Sequence, residues 1–270
     1  MRGACHIGVL DGLAQKGVFP PMMVGSSAGA LVAALAMARR PREKLAELFQ
    51  RWPRESPSWA FTWWGRLLSF PREKLPRCLG SHKAGERWEE VVEGIEAILS
   101  WDEMAGTVGV VATDLLTGQG IVFGNGPAHV PERFLRGDAP PWLALRASSA
   151  IPGLFAPVKR SPYLLADGAL VAPVPAEVAR LWGAAKVVAV DLGSGDLPSP
   201  PPRSASETVD RAGAILLTGL SRCQLQKTAD LVLQPLRYLA NPDTWNVEEL
   251  VAAGKEALLE AWPALEKLLS

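Results

Sequence analysis

Apolar positions near the start of the chain follow a helical spacing. In "CHIGVLDGLAQK", residues 5 to 16, Ile7, Leu10 and Ala14 fall on one face, and Gly17 follows as a C-cap. The next stretch, "VFPPMMVG", is a short apolar run with its two prolines near the start, which suits a strand beginning at Met22. Ala- and Leu-rich sequence then runs to Arg40, where Pro41 stops it and opens a further helix, "PREKLAELFQRW". Strand-like runs follow at "TVGVVAT" (107–113), "GIVF" (120–123), "YLLAD" (163–167) and "KVVAVDL" (186–192). The last is nearly all apolar and β-branched, as expected of a strand covered on both faces. It comes after a helical segment, "PAEVARLW" (175–182). From Val247 to Leu269 apolar and charged residues again recur at helical spacing, with Pro263 marking a break or restart.

Strands alternating with helices predict an α/β protein, a three-layer α/β/α sandwich around a mostly parallel sheet. The expectation is a single domain over 1–270 with a Trp/Arg-rich helical insertion at about 53–100. No internal repeat is visible. The Pro- and Ser-rich segment "GSGDLPSPPPRSAS" (193–206) follows a buried-type strand, so it reads as a mobile loop on the functional edge.

Charge narrows the partners. The 28 basic and 28 acidic side chains balance, so no global field draws the chain to nucleic acid. The three cysteines, Cys5, Cys78 and Cys223, are an odd number at unrelated spacings, which fits a reduced compartment and argues against a disulfide framework or a zinc site. The longest low-polarity stretch, Met22 to Ala38, is interrupted by Gly25, Ser26, Ser27 and Gly29 and falls short of the roughly 20 apolar residues of a spanning helix. No signal-peptide pattern opens the chain. The expectation is a soluble cytoplasmic protein with no metal and no organic cofactor.

One window departs from the balance. Between Arg39 and Arg77 there are ten Lys or Arg against four Glu. Trp52, Trp59, Trp63 and Trp64 lie there with Phe49, Phe61 and Phe70. Cations interleaved with indoles suit the boundary between headgroups and acyl chains, so 52–77 is expected to make peripheral contact with a membrane surface. The competing reading is that these tryptophans cover the core, since the whole chain has ten.

Candidate chemistry centres on "MVGSSAGALV". Gly25-Ser26-Ser27-Ala28-Gly29 matches G-x-S-x-G with Ser27 in the middle, preceded by an extended apolar run and followed by a helix-forming one. A serine on a sharp strand-to-helix turn adopts strained dihedrals, so its neighbours two residues away are tiny. The turn exposes the hydroxyl and aims the amide of Ala28 and the helix N-terminus at an oxyanion. The competing reading is close helix packing through small residues.

A serine nucleophile needs a base. The chain has only His6, His82 and His129, and none follows residue 129, so the Ser–acid–His order of an ordinary α/β-hydrolase is absent. Each histidine reads as a surface or capping residue. The base is then a carboxylate, and three aspartates end strand-like runs: Asp114, Asp167 and Asp191. Periodicity does not choose among them. Asp167 precedes Gly168 on a tight turn, a modest preference.

"RGACHIGVLDGLAQKGV", "VGSSAGALVAAL", "VVATDLLTGQGIVF", "RASSAIPGLFAPV" and "ADGAL", in that order, resemble the bacterial patatin-like phospholipases over roughly residues 2 to 195. The resemblance implies an acyl-ester hydrolase with a serine–aspartate dyad and no catalytic histidine. It makes Ser27 the nucleophile and Asp167 the general base, leaves Asp114 and Asp191 structural, and gives His6 no catalytic role. Gly3 and Ala28 become the oxyanion-hole amides, with Arg2, Gly25, Gly29 and Gly168 supporting the motifs. The implied substrate is a lipid acyl ester, of phospholipid or lysophospholipid type. A general carboxylesterase or thioesterase and a catalytically silent lipid-binding protein are the alternatives.

In one respect the sequence departs from the family. Family members open with a strand and Gly-Gly-Gly-x-Arg-Gly, whose amides build most of the oxyanion hole. Here the chain starts Met1-Arg2-Gly3, so only the final Arg-Gly stands. Losing one oxyanion donor costs roughly 10²–10³ in turnover, and the missing strand leaves a sheet edge without its partner. A natural start upstream of Met1, a truncated chain and lost catalysis are three explanations for this.

Overall fold

A computed structural model describes residues 2–51, 100–152, 155–193, 200–239 and 246–270. Its sheet is organised on β2 (Thr107–Asp114), which is buried from Val108 onward. The pleat sends Val108, Val110 and Ala112 into one apolar cluster and Val111 into another. Antiparallel β3 (Gly120–Gly124) lines one edge of β2. The other edge is shared: β1 (Met22–Ser26) runs parallel beside residues 107–111, and β6 (Tyr163–Asp167) runs antiparallel beside 112–114. β4 (Phe134–Arg136) adds parallel to β3, and β5 (Val158–Arg160) antiparallel to β6.

The sheet is therefore mixed rather than mostly parallel. The links from β2 to β3 and from β5 to β6 are only a few residues long, and such short links make antiparallel hairpins. β7 (Val188–Val190) pairs in parallel with β8 (Leu231–Leu233) as a separate two-stranded sheet. It is shorter than the run at 186–192, and Val188 and Val190 are half-buried rather than covered on both faces. Among the described residues β1 pairs only with β2, so its other edge carries no strand.

Helices cover both faces, as the alternation of elements predicts. α1 (Cys5–Gln15), α2 (Ala28–Met37), α3 (Arg42–Arg51) and α4 (Pro141–Ser148) pack with Val108, Val110, Ile121 and Phe123 on one side. On the other, Val178 of α5 (Ala176–Leu181) and the following Trp182 cover Val111 and Val122. α6 (Ala205–Thr228) is capped by Ser204, whose Oγ accepts from the Glu207 amide, so the helix takes in the end of the Pro/Ser-rich segment.

α7 (Val247–Leu269) crosses α1 at two glycines. A Cβ on Gly8 would lie 1.8 Å from the Val251 carbonyl oxygen, and one on Gly254 would lie 1.9 Å from that of Cys5. α7 continues through Pro263, where a break was expected. The amide that proline lacks would have reached Leu259, on the exposed side of the helix, while buried Leu258 and Leu265 hold the helix before and after the proline.

Most of the Trp/Arg-rich insertion, with Trp52, Trp59, Trp63, Trp64, Phe61 and Phe70, lies outside the described residues, as does most of 193–206. Phe49, grouped with those aromatics by sequence, is 1% exposed and belongs to the core, not to a lipid-facing surface.

Candidate active site

β1 ends at Ser26 and α2 begins at Ala28, so Ser27 alone makes the turn, at φ 53° and ψ −127°. A positive φ outside glycine costs on the order of 1–3 kcal/mol, and the surroundings must hold it. They do so through hydrogen bonds. The Ser27 amide donates to Ser148 Oγ at 2.9 Å, and Ser148 Oγ donates in turn to the Val111 carbonyl at 2.6 Å. The neighbouring Ser26 hydroxyl is committed elsewhere, donating to the Ala172 carbonyl at 2.6 Å.

The two motif glycines differ. A Cβ on Gly25 would meet backbone, 2.4 Å from the Gly29 carbonyl carbon and 2.5 Å from the Ala30 nitrogen. A Cβ on Gly29 would meet only His6 Nε2, at 3.5 Å, an ordinary contact. The protein's own packing thus requires Gly25 but leaves room at Gly29.

β6 brings Asp167 to the same place. Ser26 pairs with Val111 and Asp167 with Ala112, so the two strands end at adjacent positions along β2. Asp167 is 4% exposed. Its carboxylate accepts hydrogen bonds from the Ser27 hydroxyl and from the Ala169 amide, the latter at 2.8 Å. Its amide donates to the Ala150 carbonyl at 3.0 Å, and its carbonyl accepts from Thr113 Oγ1 at 2.8 Å. Burial raises the carboxyl from 3.8 to about 6, against the pull of the Ser27 and Ala169 donors. Gly168 is sterically required, since a Cβ there would lie 2.0 Å from the Val111 carbonyl oxygen.

Gly3 completes the cluster. Arg2 opens a 3-10 turn over Arg2–Ala4, and Gly3 is buried in it. A Cβ on Gly3 would fall 2.4 Å from Ala28 Cβ and 2.8 Å from Phe49 Cε1. Gly3 and Ala28 are therefore in contact, and Ala28, as the first residue of α2, has no carbonyl within the helix for its amide.

The sequence model of the patatin-like phospholipase family matches residues 1–180. The chain belongs to that family. An NTE family protein of Mycobacterium tuberculosis is 32% identical over 208 residues, covering 77% of this chain and 50% of that protein. The neuropathy target esterase sws of Drosophila melanogaster is 25% identical over 197 residues, 72% of this chain and 12% of the fly protein. Human patatin-like phospholipase domain-containing protein 6 is likewise 25% identical over 197 residues, 72% of this chain and 13% of the human protein. The chain spans half or less of the length of these relatives.

Within this patatin-like site the other strand-end aspartates are occupied by local donors. The Asp114 carboxylate accepts from the Leu164 amide at 3.0 Å, the Leu116 amide at 3.3 Å and Thr117 Oγ1 at 2.7 Å. Burial opposes its charge, but these donors outweigh burial and hold its carboxyl below the usual value. Asp191 Oδ1 accepts from the Gly193 amide at 2.9 Å.

His6 is not the surface residue expected. It is half-buried beside Gly29, and burial pushes its imidazole down to about 4, so it is neutral near pH 7. His129 is exposed and contributes only its carbonyl, which accepts from Trp182 Nε1 at 2.9 Å. His82 lies outside the described residues. Cys5 is buried with its thiol pushed up to about 12 by desolvation, which makes it unreactive. Among the described residues no group of three or more His, Cys, Asp or Glu side chains is placed to hold a metal ion.

Ser148 was not anticipated as a site residue, although it lies in "RASSAIPGLFAPV". Its signal is a hydroxyl in a helix whose other residues, Arg146 apart, are apolar. Such a group, 0% exposed here, must find polar partners. A cavity of about 340 Å³ lined by Ile7, Leu10, Leu13, Ala36, Arg39 and Leu45 lies along α1 and the end of α2, and neither Ser27 nor Asp167 borders it.

Proposed function

We propose that this patatin-like chain hydrolyses acyl esters of lipids, of phospholipid or lysophospholipid type, through a Ser27–Asp167 dyad and a covalent acyl-enzyme. The observation that carries the reading is the hydrogen bond from the Ser27 hydroxyl, on a strained turn, to a buried carboxylate. The names of the fly and human relatives, an esterase and a phospholipase-domain protein, agree with it.

Asp167 accepts the hydroxyl proton as Ser27 Oγ attacks the acyl carbonyl. A carboxyl raised to about 6 is ionised at neutral pH and is a stronger base than an exposed one. The amide of Ala28, with that of Gly3 or its neighbours, faces the oxyanion. Collapse of the tetrahedral intermediate breaks the ester C–O bond, and Asp167 returns its proton to the departing alcohol. Water then gives a proton to Asp167 and attacks the acyl-enzyme. The proton returns to Ser27, and the free fatty acid leaves.

Intact-mass measurement after fluorophosphonate treatment tests this. The expected result is a single adduct that disappears in Ser27→Ala. Folded protein without an adduct, or with one that survives Ser27→Ala, refutes the assignment. Rates on model esters of increasing chain length then separate a lipase, which prefers long chains, from a general short-chain esterase.

A further inference from the structure

α6 packs inward through Leu225, which is 3% exposed, and through two hydroxyls. Thr218 and Ser221 face inward at 5% and 1% exposure, and among the described residues Ser221 Oγ has no hydrogen-bond partner. Val209, Ile215 and Leu216 face outward at 55%, 50% and 73%. At helical spacing Val209, Ala212, Leu216, Gly219 and Cys223 form one exposed stripe, with Ile215 beside it. Scattered exposed leucines need no explanation, but a continuous apolar stripe on the outer face of a helix marks a contact surface.

Charge and position identify the occupant. α6 carries three cations, Arg211, Arg222 and Lys227, and its two carboxylates, Glu207 and Asp210, are confined to its first two turns, so beyond Asp210 the helix is purely cationic. Arg222 and Lys227 are exposed, at the end of the stripe nearer the site. An apolar face bordered by cations matches an anionic lipid surface. The same helix is tied to the catalytic turn, since Gln224 Nε2 donates to the Val171 carbonyl at 2.8 Å, four residues after Asp167. Leu170 of that turn is itself 40% exposed. Among the described residues no helix is long and apolar enough to cross a membrane. α6 therefore has the character of a helix that lies in the interface plane.

We infer that α6 docks the protein on an anionic lipid surface, with Val209, Ile215 and Leu216 entering the acyl boundary and Arg222 and Lys227 meeting lipid phosphates. This rests on the lipid-ester reading above and adds the surface that presents the site to its substrate.

The test uses the full chain carrying Ser27→Ala, so that binding is read without hydrolysis. It is co-sedimented with vesicles of phosphatidylglycerol and phosphatidylcholine, and with phosphatidylcholine alone. Binding to the anionic vesicles is expected, with a drop of about tenfold or more when Ile215→Ser and Leu216→Ser are added. Arg222→Gln with Lys227→Gln should remove the preference for anionic vesicles while leaving the melting curve in place. With Ser27 restored, the serine pair should leave hydrolysis of a soluble short-chain ester unchanged and lower hydrolysis of vesicle lipid. The inference is overturned if the wild type does not bind, if the serine pair binds as well as the wild type, or if light scattering shows a dimer that this pair dissociates, which would make a second copy the occupant. Vesicle binding that depends on α6, without hydrolysis of any ester by the native chain, would keep the docking surface and refute the hydrolase reading instead.

Discussion

The Ser27 hydroxyl donates to the Asp167 carboxylate because two strands of opposite direction end at adjacent positions along β2. β1 arrives parallel and stops opposite Val111, while β6 arrives antiparallel and stops opposite Ala112. Neither residue needs a flexible loop to find the other. A site carried on strand ends is held more tightly than one carried on loops, and here the sheet itself sets the separation between Ser27 and Asp167.

Asp167 should govern the pH–rate profile. On a soluble ester, kcat/KM is expected to rise with pH about a midpoint near 6, the value to which burial raises the carboxyl, and to level off above it. Asp167→Asn should abolish that limb and lower kcat by about 10²–10⁴. His6→Gln should leave the midpoint in place, because the His6 imidazole titrates at about 4. A midpoint that moves in His6→Gln but not in Asp167→Asn would transfer the base role to the histidine.

The same group sets a sign for stability. The folded carboxyl binds its proton up to about 6, against 3.8 for an ordinary aspartate. Between these values the folded protein holds a proton that the unfolded chain has released, so raising pH across this window lowers stability. Urea unfolding at intervals from pH 4 to pH 7 should show this decline in the wild type, and Asp167→Asn should flatten it. A wild type that gains stability across the window relative to Asp167→Asn would contradict the assigned burial of the charge.

Much of this was legible before any coordinates. β1, β2, β3 and β6 stand out because continuous apolar runs bounded by Gly, Pro or Asp leave few other structures open to them. β4, β5 and β8 are three residues each, too short for any period to show. α6 was missed because Thr218 and Ser221 share its inner face with Leu225 while Val209, Ile215 and Leu216 stand outside, so no clean apolar stripe at helical spacing marks it. The position of His6 on α1 was visible, but its burial depends on neighbours from other parts of the chain. Ser27 declared itself through the glycines around it. Asp167 was set apart from Asp114 and Asp191 by a modest preference from its Asp-Gly turn and then by family resemblance, since all three end strand-like runs. Ser148 left little trace as a site residue because its partners are the Ser27 amide and the Val111 carbonyl, backbone groups that no residue type marks.

The two glycines flanking Ser27 should respond differently to alanine. At Gly25 the new Cβ would lie 2.4 Å from backbone of the helix it packs against, so Gly25→Ala should destabilise by about 1–3 kcal/mol or more and abolish fluorophosphonate labelling. At Gly29 the nearest atom, His6 Nε2, is 3.5 Å away, and Gly29→Ala should keep the wild-type melting temperature within a few degrees. Thermal melts of the two variants decide the point. Equal destabilisation would mean that the helix start is packed more tightly than this geometry implies.

The segment from Ser148 to Ala150 braces both halves of the site. Ser148 Oγ accepts from the Ser27 amide, and the Ala150 carbonyl accepts from the Asp167 amide. Ser148→Ala would strand a buried amide and a buried carbonyl, at a cost of about 1–3 kcal/mol, and would free the turn that holds Ser27 at positive φ. Both polar contacts of Ser148 Oγ are to backbone at the turn, so the expected signature is a fall in kcat of about tenfold or more with KM nearly unchanged. Lost stability alone does not account for that split. Ser26→Ala provides the control, because it removes a buried hydroxyl bond to the Ala172 carbonyl one residue away without touching the Ser27 amide. It should lower the melting temperature by a similar amount and leave kcat close to that of the wild type. If the two variants lose kcat equally, Ser148 contributes packing and nothing specific to the nucleophile. If only Ser148→Ala does, the strained turn is held in its reactive form by this hydroxyl.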